Sequence, residues 1–309
     1  MVRFVSGDWG SSHLRLRLVD GDGSVKNEIK ADCGSLKLAA KRNREQAYRS
    51  ALARYLKKLD VPRDLPIVLS GTASSSIGWK ELPYAKLPFA LDGSSAVWEK
   101  IDHRVYLISG ACSDADMMRG EETETLGVAA VLGRSMPPDA VLVLPGTHSK
   151  HITIGGGSIT SIRTYMTGEL FEILPRHTIL RHSTETSACF DRQAFLQGVE
   201  ESTKQGLSSG IFRVRTREVL QKCEKTSNMW FLSGLLIGSE LLALKDTNTD
   251  IILAASDPLL TPYETAIEGL GFEKRLTKVN SEIISILGQQ VLLQRFFCGP
   301  KKNAHNTPH

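Results

Sequence analysis

The spacing of apolar residues changes along the chain, and each change marks an element. Val2–Ser6 is a short β-branched run, and Leu14–Asp20 alternates Leu-Arg-Leu-Arg-Leu, the period of a half-buried strand. Val25–Lys30 predicts a third strand. From Glu45 to Leu59 the period lengthens, and Ala47, Ala51, Leu52, Tyr55, Leu56 and Leu59 form one helical stripe. "PIVLS" and "RVYLIS" are continuous apolar runs that predict buried strands, with "GTASSSIGWKELPY" as a long loop between them. "GEETETLGVAAVLG" begins acidic and turns apolar, as the start of a helix should. "DAVLVLPGTHSKHITIGGGSITSIRTYMTGEL" predicts strand, turn, strand, glycine turn and strand. Helices follow at Ala188–Gln205, Thr216–Lys225, Asn228–Leu244, Pro262–Leu270 and Glu282–Phe297, with a strand at Asp250–Ala254. The polar tail from Gly299 to His309 is expected to be disordered.

The pattern contains a weak internal repeat. "VSGDWGSSHLRLRLV" and "VLPGTHSKHITI" share one plan: strand, small-residue turn, strand, each followed by a further strand. An ordinary hairpin needs only a dipeptide such as Asn-Gly. Tight turns of Gly, Ser and Thr present backbone N–H groups as an anion nest, and two of them could hold a phosphate chain from both sides. Two plain hairpins is the alternative. "GTASSSIGWK" is no P-loop, because its lysine has the wrong spacing and no Ser or Thr follows it.

Composition narrows the picture. At 309 residues the chain can form one large domain or two lobes. A net charge of +4, with acids and bases interspersed, gives no support for nucleic-acid binding. Five scattered cysteines without a CxxC pair favour reduced thiols in a cytoplasmic protein. The chain enters a strand directly, so no signal peptide is expected. The longest apolar run, Phe231–Leu244, is broken by Ser233, Gly234, Gly238, Ser239 and Glu240, so no membrane association is expected. A homodimer is left open, with no exposed heptad seam to support one.

Six blocks in order carry a resemblance: "DWGSSHLR", "IGWKELPY", "MRGEETETLG", "LPGTHSKH", "TYMTGEL" and "FLSGLLIG". Together they resemble the 2-dehydro-3-deoxygalactonokinase family, sugar-acid kinases of the actin–hexokinase–Hsp70 ATPase superfamily, from about residue 4 to about 275. The resemblance implies a two-lobed α/β fold of the actin-like, ribonuclease H-like type with a ligand cleft between lobes. It implies ATP and Mg²⁺ as cofactors and phosphorylation of 2-dehydro-3-deoxy-D-galactonate at its 6-hydroxyl. Alternatives are a kinase of a related 2-keto-3-deoxy sugar acid, or a degenerate kinase that binds a sugar acid. The expected division is residues 1–118 and 119–298, with the last helix packing back on the first lobe.

The resemblance also implies roles. Asp8 would organise the metal, which needs only one carboxylate beside phosphate oxygens; a turn-stabilising Asx motif is its bland reading. Gly7 and Gly10 would let the backbone approach phosphate, with Ser11 and Ser12 as donors. Arg15 would face the cleft or stand in solvent beside Arg17. Gly146 and Thr147 would meet the β- and γ-phosphates, and Lys150 would add positive charge. Glu122, with Glu121 as runner-up, would be the general base for the sugar hydroxyl; acids at a helix N-terminus also serve the dipole alone. Lys80, Arg119 and Arg163 are candidates for the substrate carboxylate, Trp79 and Tyr84 for the sugar face, and Glu169 for a hydroxyl or for orienting Arg163. His148 and His151 lie three apart on a strand, which sends them to opposite faces. The GxxxG of Gly234 and Gly238 predicts close backbone approach, to another helix or to adenosine. Ser256 stands in "ASDP" where family members usually carry a glycine against the adenosine; its side chain would narrow that slot.

Overall fold

A computed structural model describes residues 3–186 and 189–298, so the expectation of a disordered tail lies outside the described residues. The chain divides into two compact units. The first contains the described residues of Met1–Met136, Gly157–Ser161 and Ile283–His309, the second Pro137–Gly156 and Ile162–Glu282. The boundary expected at 118/119 therefore shifts, because the Glu121 helix is counted with the first unit.

The first unit is built on β1 (Phe4–Trp9), β2 (Leu14–Val19), β3 (Val25–Ala31), α1 (Ser35–Ala39), α2 (Arg44–Leu59) and β4 (Ile67–Gly71). Short strands follow: β5 (Ala85–Lys86), β6 (Phe89–Ala90), β7 (Trp98–Lys100), β8 (Val105–Ile108), β9 (Ala111–Cys112) and β10 (Met117–Met118), then α3 (Glu121–Leu132). The main sheet runs β3-β2-β1-β4-β8-β7, with β1 antiparallel to β2 and parallel to β4. The predicted α2 stripe is the buried one: Tyr48, Leu52, Tyr55, Leu56 and Leu59 pack with Val5, Leu16, Ile67 and Leu69. Trp79 joins this core.

The second unit contains β11 (Asp139–Leu144), β12 (Ser149–Gly155), the part of β13 (Ser158–Tyr165) from Ile162 onward, its first residues being counted with the first unit, α4 (Thr167–His177), α5 (Arg192–Gln205), α6 (Leu207–Gln221), α7 (Lys225–Leu241), β14 (Asp250–Ala255), α8 (Leu260–Gly269) and β15 (Leu276–Asn280). Its sheet runs β15-β14-β11-β12-β13, and the tip of β13 pairs β6 through Ser158 and Ile159. The order β13-β12-β11-β14-β15 repeats β3-β2-β1-β4-β8: a first strand, an antiparallel partner, a third strand, then two parallel strands on the other side. The sequence repeat near residues 5 and 143 is thus a repeat of topology.

Glycines set two helix crossings. α9 (Ile284–Cys298) crosses α3, where a Cβ on Gly127 would lie 1.8 Å from the Ile284 carbonyl and one on Gly288 1.8 Å from that of Thr123. On α7, a Cβ at Gly234 would lie 1.9 Å from the Phe195 carbonyl of α5. The GxxxG therefore brings α7 close against α5. Among the described residues one helix, Lys225–Leu244, is long and apolar enough to cross a membrane, against the expectation of none; 67% of its apolar window is buried inside the protein.

Candidate active site

The turn at residues 10–13 is held from below. The Gly10 N–H donates to the His13 carbonyl at 2.9 Å, and the N–H groups of Gly34, Ser35 and Leu36 donate to the carbonyls of Ser12, Gly10 and Ser11. Those carbonyls are used up by α1, which leaves the exposed hydroxyls of Ser11 and Ser12 on the outside. Gly7 is different from the expectation. It is buried, and a Cβ there would meet Leu69 Cδ2 at 2.4 Å, so its glycine serves sheet packing rather than a phosphate.

Asp8 sits on β1 opposite Arg15 of β2 and beside Ser70 of β4. Its carboxylate is open to solvent, and no described protein group hydrogen-bonds it. The protein nevertheless crowds around it. Loss of surrounding water raises its pKa, Arg15 and Arg17 pull it down, and Glu121 adds to the rise. Arg17 is buried against Glu28 at 2.6 Å, so it is no solvent partner of Arg15. Gly71, at the end of β4, has φ +90, and a Cβ there would lie 2.7 Å from the Trp9 carbonyl and 3.2 Å from Asp8 Oδ1. A side chain at 71 is thus barred by backbone conformation and by Asp8 itself. Thr72 Oγ1 donates to the Trp9 carbonyl at 2.8 Å, and buried Gln289 of α9 donates to the Gly7 carbonyl and Ser70 Oγ. These bonds fix β1 and β4 around a carboxylate left without one.

The acidic start of α3 separates into different roles. Gly120, with φ +115, turns the chain into the helix. Glu122 is 1% exposed. Its Oε2 accepts the Gly120 N–H at 2.7 Å and its Oε1 accepts from Thr123 Oγ1 at 2.9 Å. Burial and the neighbouring Glu121 push its pKa up to about 7, against these two donors. Both oxygens of this buried carboxyl are thus engaged within the first turn of α3. Glu121 accepts the Arg119 N–H at 2.9 Å but stays partly exposed. Glu124 was absent from the sequence candidates. Desolvation, then Glu121, Asp8 and Glu122, raise its pKa well above the ordinary value, opposed by Arg15. Asp8, Glu121 and Glu124 thus share one electrostatic neighbourhood with Arg15.

Most substrate candidates of the first unit are already engaged. Trp79 is buried in the core, stacked on Tyr48 with ring centroids 5.8 Å apart. Arg119 Nη1 donates to the Ser74 carbonyl at 2.7 Å and to Ser109 Oγ, and its guanidinium lies 4.1 Å from the Tyr84 ring centroid. It clasps the loop after β4, with Tyr84 as its platform. Lys80 pairs with Glu99 at the surface.

In the second unit, Thr147 and His148 are exposed at the turn between β11 and β12. α4 starts against that turn: a Cβ on Gly168 would lie 2.4 Å from the Gly146 carbonyl, and the Glu169 N–H donates to the Thr147 carbonyl at 3.0 Å. Glu169 pairs with His148 at 2.6 Å rather than with Arg163, which is exposed on β13. Lys150 is buried, with Nζ donating to the His148 carbonyl. His148 and His151 have separate partners, Glu169 and Glu240. Beside the turn opens an apolar cavity of about 210 Å³, lined among others by Gly146, Trp230, Ser233, Ile237, Pro258 and Tyr263. Ser256 does not line this cavity, although Pro258 and Leu259 do: its carbonyl accepts from Leu259 and Leu260, and its hydroxyl is bonded to that of Ser281. It narrows no slot.

The duplicated strand order and paired turns define an actin-like ATPase fold. The activator of the 2-hydroxyisocaproyl-CoA dehydratase from Clostridium difficile, solved with bound ADPNP, shares that fold at a TM-score of 0.54 over the full length of both chains, with 8% identity. The chain itself belongs to the 2-keto-3-deoxy-galactonokinase family, whose model matches residues 8–288. It is 32% identical to the probable 2-dehydro-3-deoxygalactonokinase DgoK1 of Rhizobium meliloti (strain 1021), covering 91% of this chain and 94% of the relative. To the 2-dehydro-3-deoxygalactonokinase of Escherichia coli (strain K12) it is 30% identical, covering 87% and 91%. A solved Sinorhizobium meliloti protein of the same family name matches at a TM-score of 0.83 and 30% identity, covering 96% of this chain and all of the other.

Proposed function

We propose that this protein transfers the γ-phosphoryl group of ATP to the 6-hydroxyl of 2-dehydro-3-deoxy-D-galactonate. Family membership supports the reaction and the substrate. The observation that carries the chemistry is Asp8, a carboxylate crowded by protein, open to solvent and free of protein hydrogen bonds.

Asp8 suits a Mg²⁺ ion, which takes hard oxygen ligands and keeps several waters. When bound, the ion would neutralise phosphate charge during transfer. The chain's own residues do the rest. Ser11 and Ser12 donate to phosphate oxygens from the first turn. Gly146 and Thr147 offer backbone N–H groups in the second, and Gly146 has open space where a Cβ would stand. The apolar cavity beside Gly146 receives the base, with Trp230 as a ring wall and Ser233 as a hydroxyl. Glu121 takes the proton of the sugar hydroxyl, because it is solvent-reachable and coupled to Asp8, whereas both oxygens of Glu122 are engaged within the first turn of α3. Arg163, exposed on β13, is the proposed partner of the substrate carboxylate, because Lys80 is paired with Glu99.

The test is ADP release by purified protein given Mg-ATP and the sugar acid. Turnover above the rate without acid is expected. No acid-dependent ADP release would overturn the proposal.

A further inference from the structure

Glu240, on α7, is the most deeply buried carboxylate of the second unit's network, with a side chain 1% exposed. None of the chemistry above uses it. Its two oxygens collect four side chains from three other elements. Ser149 Oγ donates to Oε1 at 2.6 Å, and His151 Nε2 meets the same oxygen at 3.1 Å. Tyr263 Oη donates to Oε2 at 2.8 Å, as does Thr167 Oγ1. Burial and the Glu240 charge push the Tyr263 phenol well above its ordinary pKa, which keeps its proton available as a donor. A buried carboxylate is costly unless every such partner is present.

The location of the partners points to a role. Ser149 and His151 open β12 directly after the 145–148 turn. Thr167 begins α4, whose Gly168 backbone lies against Gly146. Tyr263 and Thr167 also line the apolar cavity. One carboxylate therefore ties a turn, a helix start and a cavity wall together. Apolar packing alone could stabilise this region equally well, but it would not fix the direction of four polar groups.

We infer that Glu240 is a positioning residue for the nucleotide, holding the second turn in register with the base cavity through Ser149, Thr167 and Tyr263. This rests on reading the turn and cavity as the nucleotide site. Glu240→Gln keeps the shape but must aim an amide NH₂ at one of the donors. Tyr263→Phe deletes one hydroxyl and keeps the ring on the cavity wall. For both, the measurements are ATP affinity by calorimetry without sugar acid, KM for each substrate, and circular dichroism. ATP affinity should fall roughly tenfold or more, the scale of a hydrogen bond to a charged group. KM for the sugar acid at saturating ATP should stay within about twofold. The double variant should bind ATP no worse than Glu240→Gln, because both changes break one network. Unchanged ATP affinity in the folded variants, or equal weakening of ATP and acid, overturns the inference. If Glu240→Gln does not fold, Tyr263→Phe decides alone. Wild-type protein that binds no ATP would overturn the nucleotide reading and this inference with it; wild-type binding with unaltered variants overturns only the inference.

Discussion

Glu122 makes a quantitative demand on stability. Its carboxyl is buried, and burial together with Glu121 pushes its pKa up from an ordinary 4.5 to about 7. For an acid with a raised folded pKa, the fold favours the protonated form. Its contribution is complete below pH 4.5, declines as pH rises, and is gone once pH passes about 7. At about 1.36 kcal/mol per unit, the loss across that window is about 3 kcal/mol. Glu122→Gln removes the titration. Its amide oxygen can accept the Gly120 N–H and its NH₂ can donate to Thr123 Oγ1, so both local contacts survive. The assay is urea unfolding of both proteins at pH 4.5, 5.5, 6.5, 7.5 and 8, followed by tryptophan fluorescence. Asp8 and Glu124 also have raised pKa values. They are present in both proteins, so their effects largely cancel in the difference. The variant should gain about 3 kcal/mol on the wild type between pH 4.5 and 8. Parallel pH profiles would refute the reasoning and mean that the two donors keep Glu122 ionised throughout.

Further outcomes follow from the same geometry. Asp8→Asn should leave the fold intact and lower kcat by roughly a hundredfold or more; near-normal turnover in the folded variant would remove Asp8 from the metal site. Glu121→Gln should slow phosphoryl transfer by about 10²–10⁴-fold, whereas Glu122→Gln at neutral pH should change it only a few-fold; the reverse ranking in stopped-flow turnover would return the base to Glu122. Ser256→Gly should leave KM for ATP unchanged, since Ser256 follows β14 and does not line the cavity; a changed KM would place it against the nucleotide. Gly234→Ala should cost about 1–3 kcal/mol by overpacking α7 on α5, read as a lowered Tm, while the ATP affinity of the folded fraction stays normal.

Periodicity made most of the strands and the α2 stripe legible, and the repeat of small-residue turns anticipated the repeat of strand order. The sequence pattern places a helix only at Thr216–Lys225, whereas α6 runs Leu207–Gln221, because Gly206, Ser208, Ser209 and Gly210 carry no apolar period. In the fold Gly210 is a contact, where a Cβ would meet Leu235 at 2.8 Å. Helix α4 went unpredicted because Pro175 and the preceding strand pattern masked a short helix. Among site residues, single positions were less readable than turns. Gly7 and Gly234 are small because of packing, and the sequence cannot distinguish that from ligand approach. Trp79 and Arg119 have side chains suited to sugar and carboxylate, but the core and the Ser74 loop claim them first. Glu124 lay one turn from the chosen pair, and the signal that could have found it was the third acid in "EETE". Gly71 and Thr72 after "IVLS" form another strand-to-small-residue turn, readable by the logic applied to residues 5 and 143. Glu240 offered no local signal, because its partners come from positions 73 to 91 residues earlier and 23 later.

The central claim is tested most directly by the product itself. Purified protein is incubated with Mg-ATP and a panel of 2-keto-3-deoxy sugar acids, with kcat/KM taken from ADP release and the phosphate position from phosphorus–proton NMR correlation. The account predicts the highest kcat/KM for 2-dehydro-3-deoxy-D-galactonate and a single product phosphorylated on the 6-oxygen. Preference for another acid, phosphate on another oxygen, or ADP formed without any phosphorylated sugar acid would contradict it.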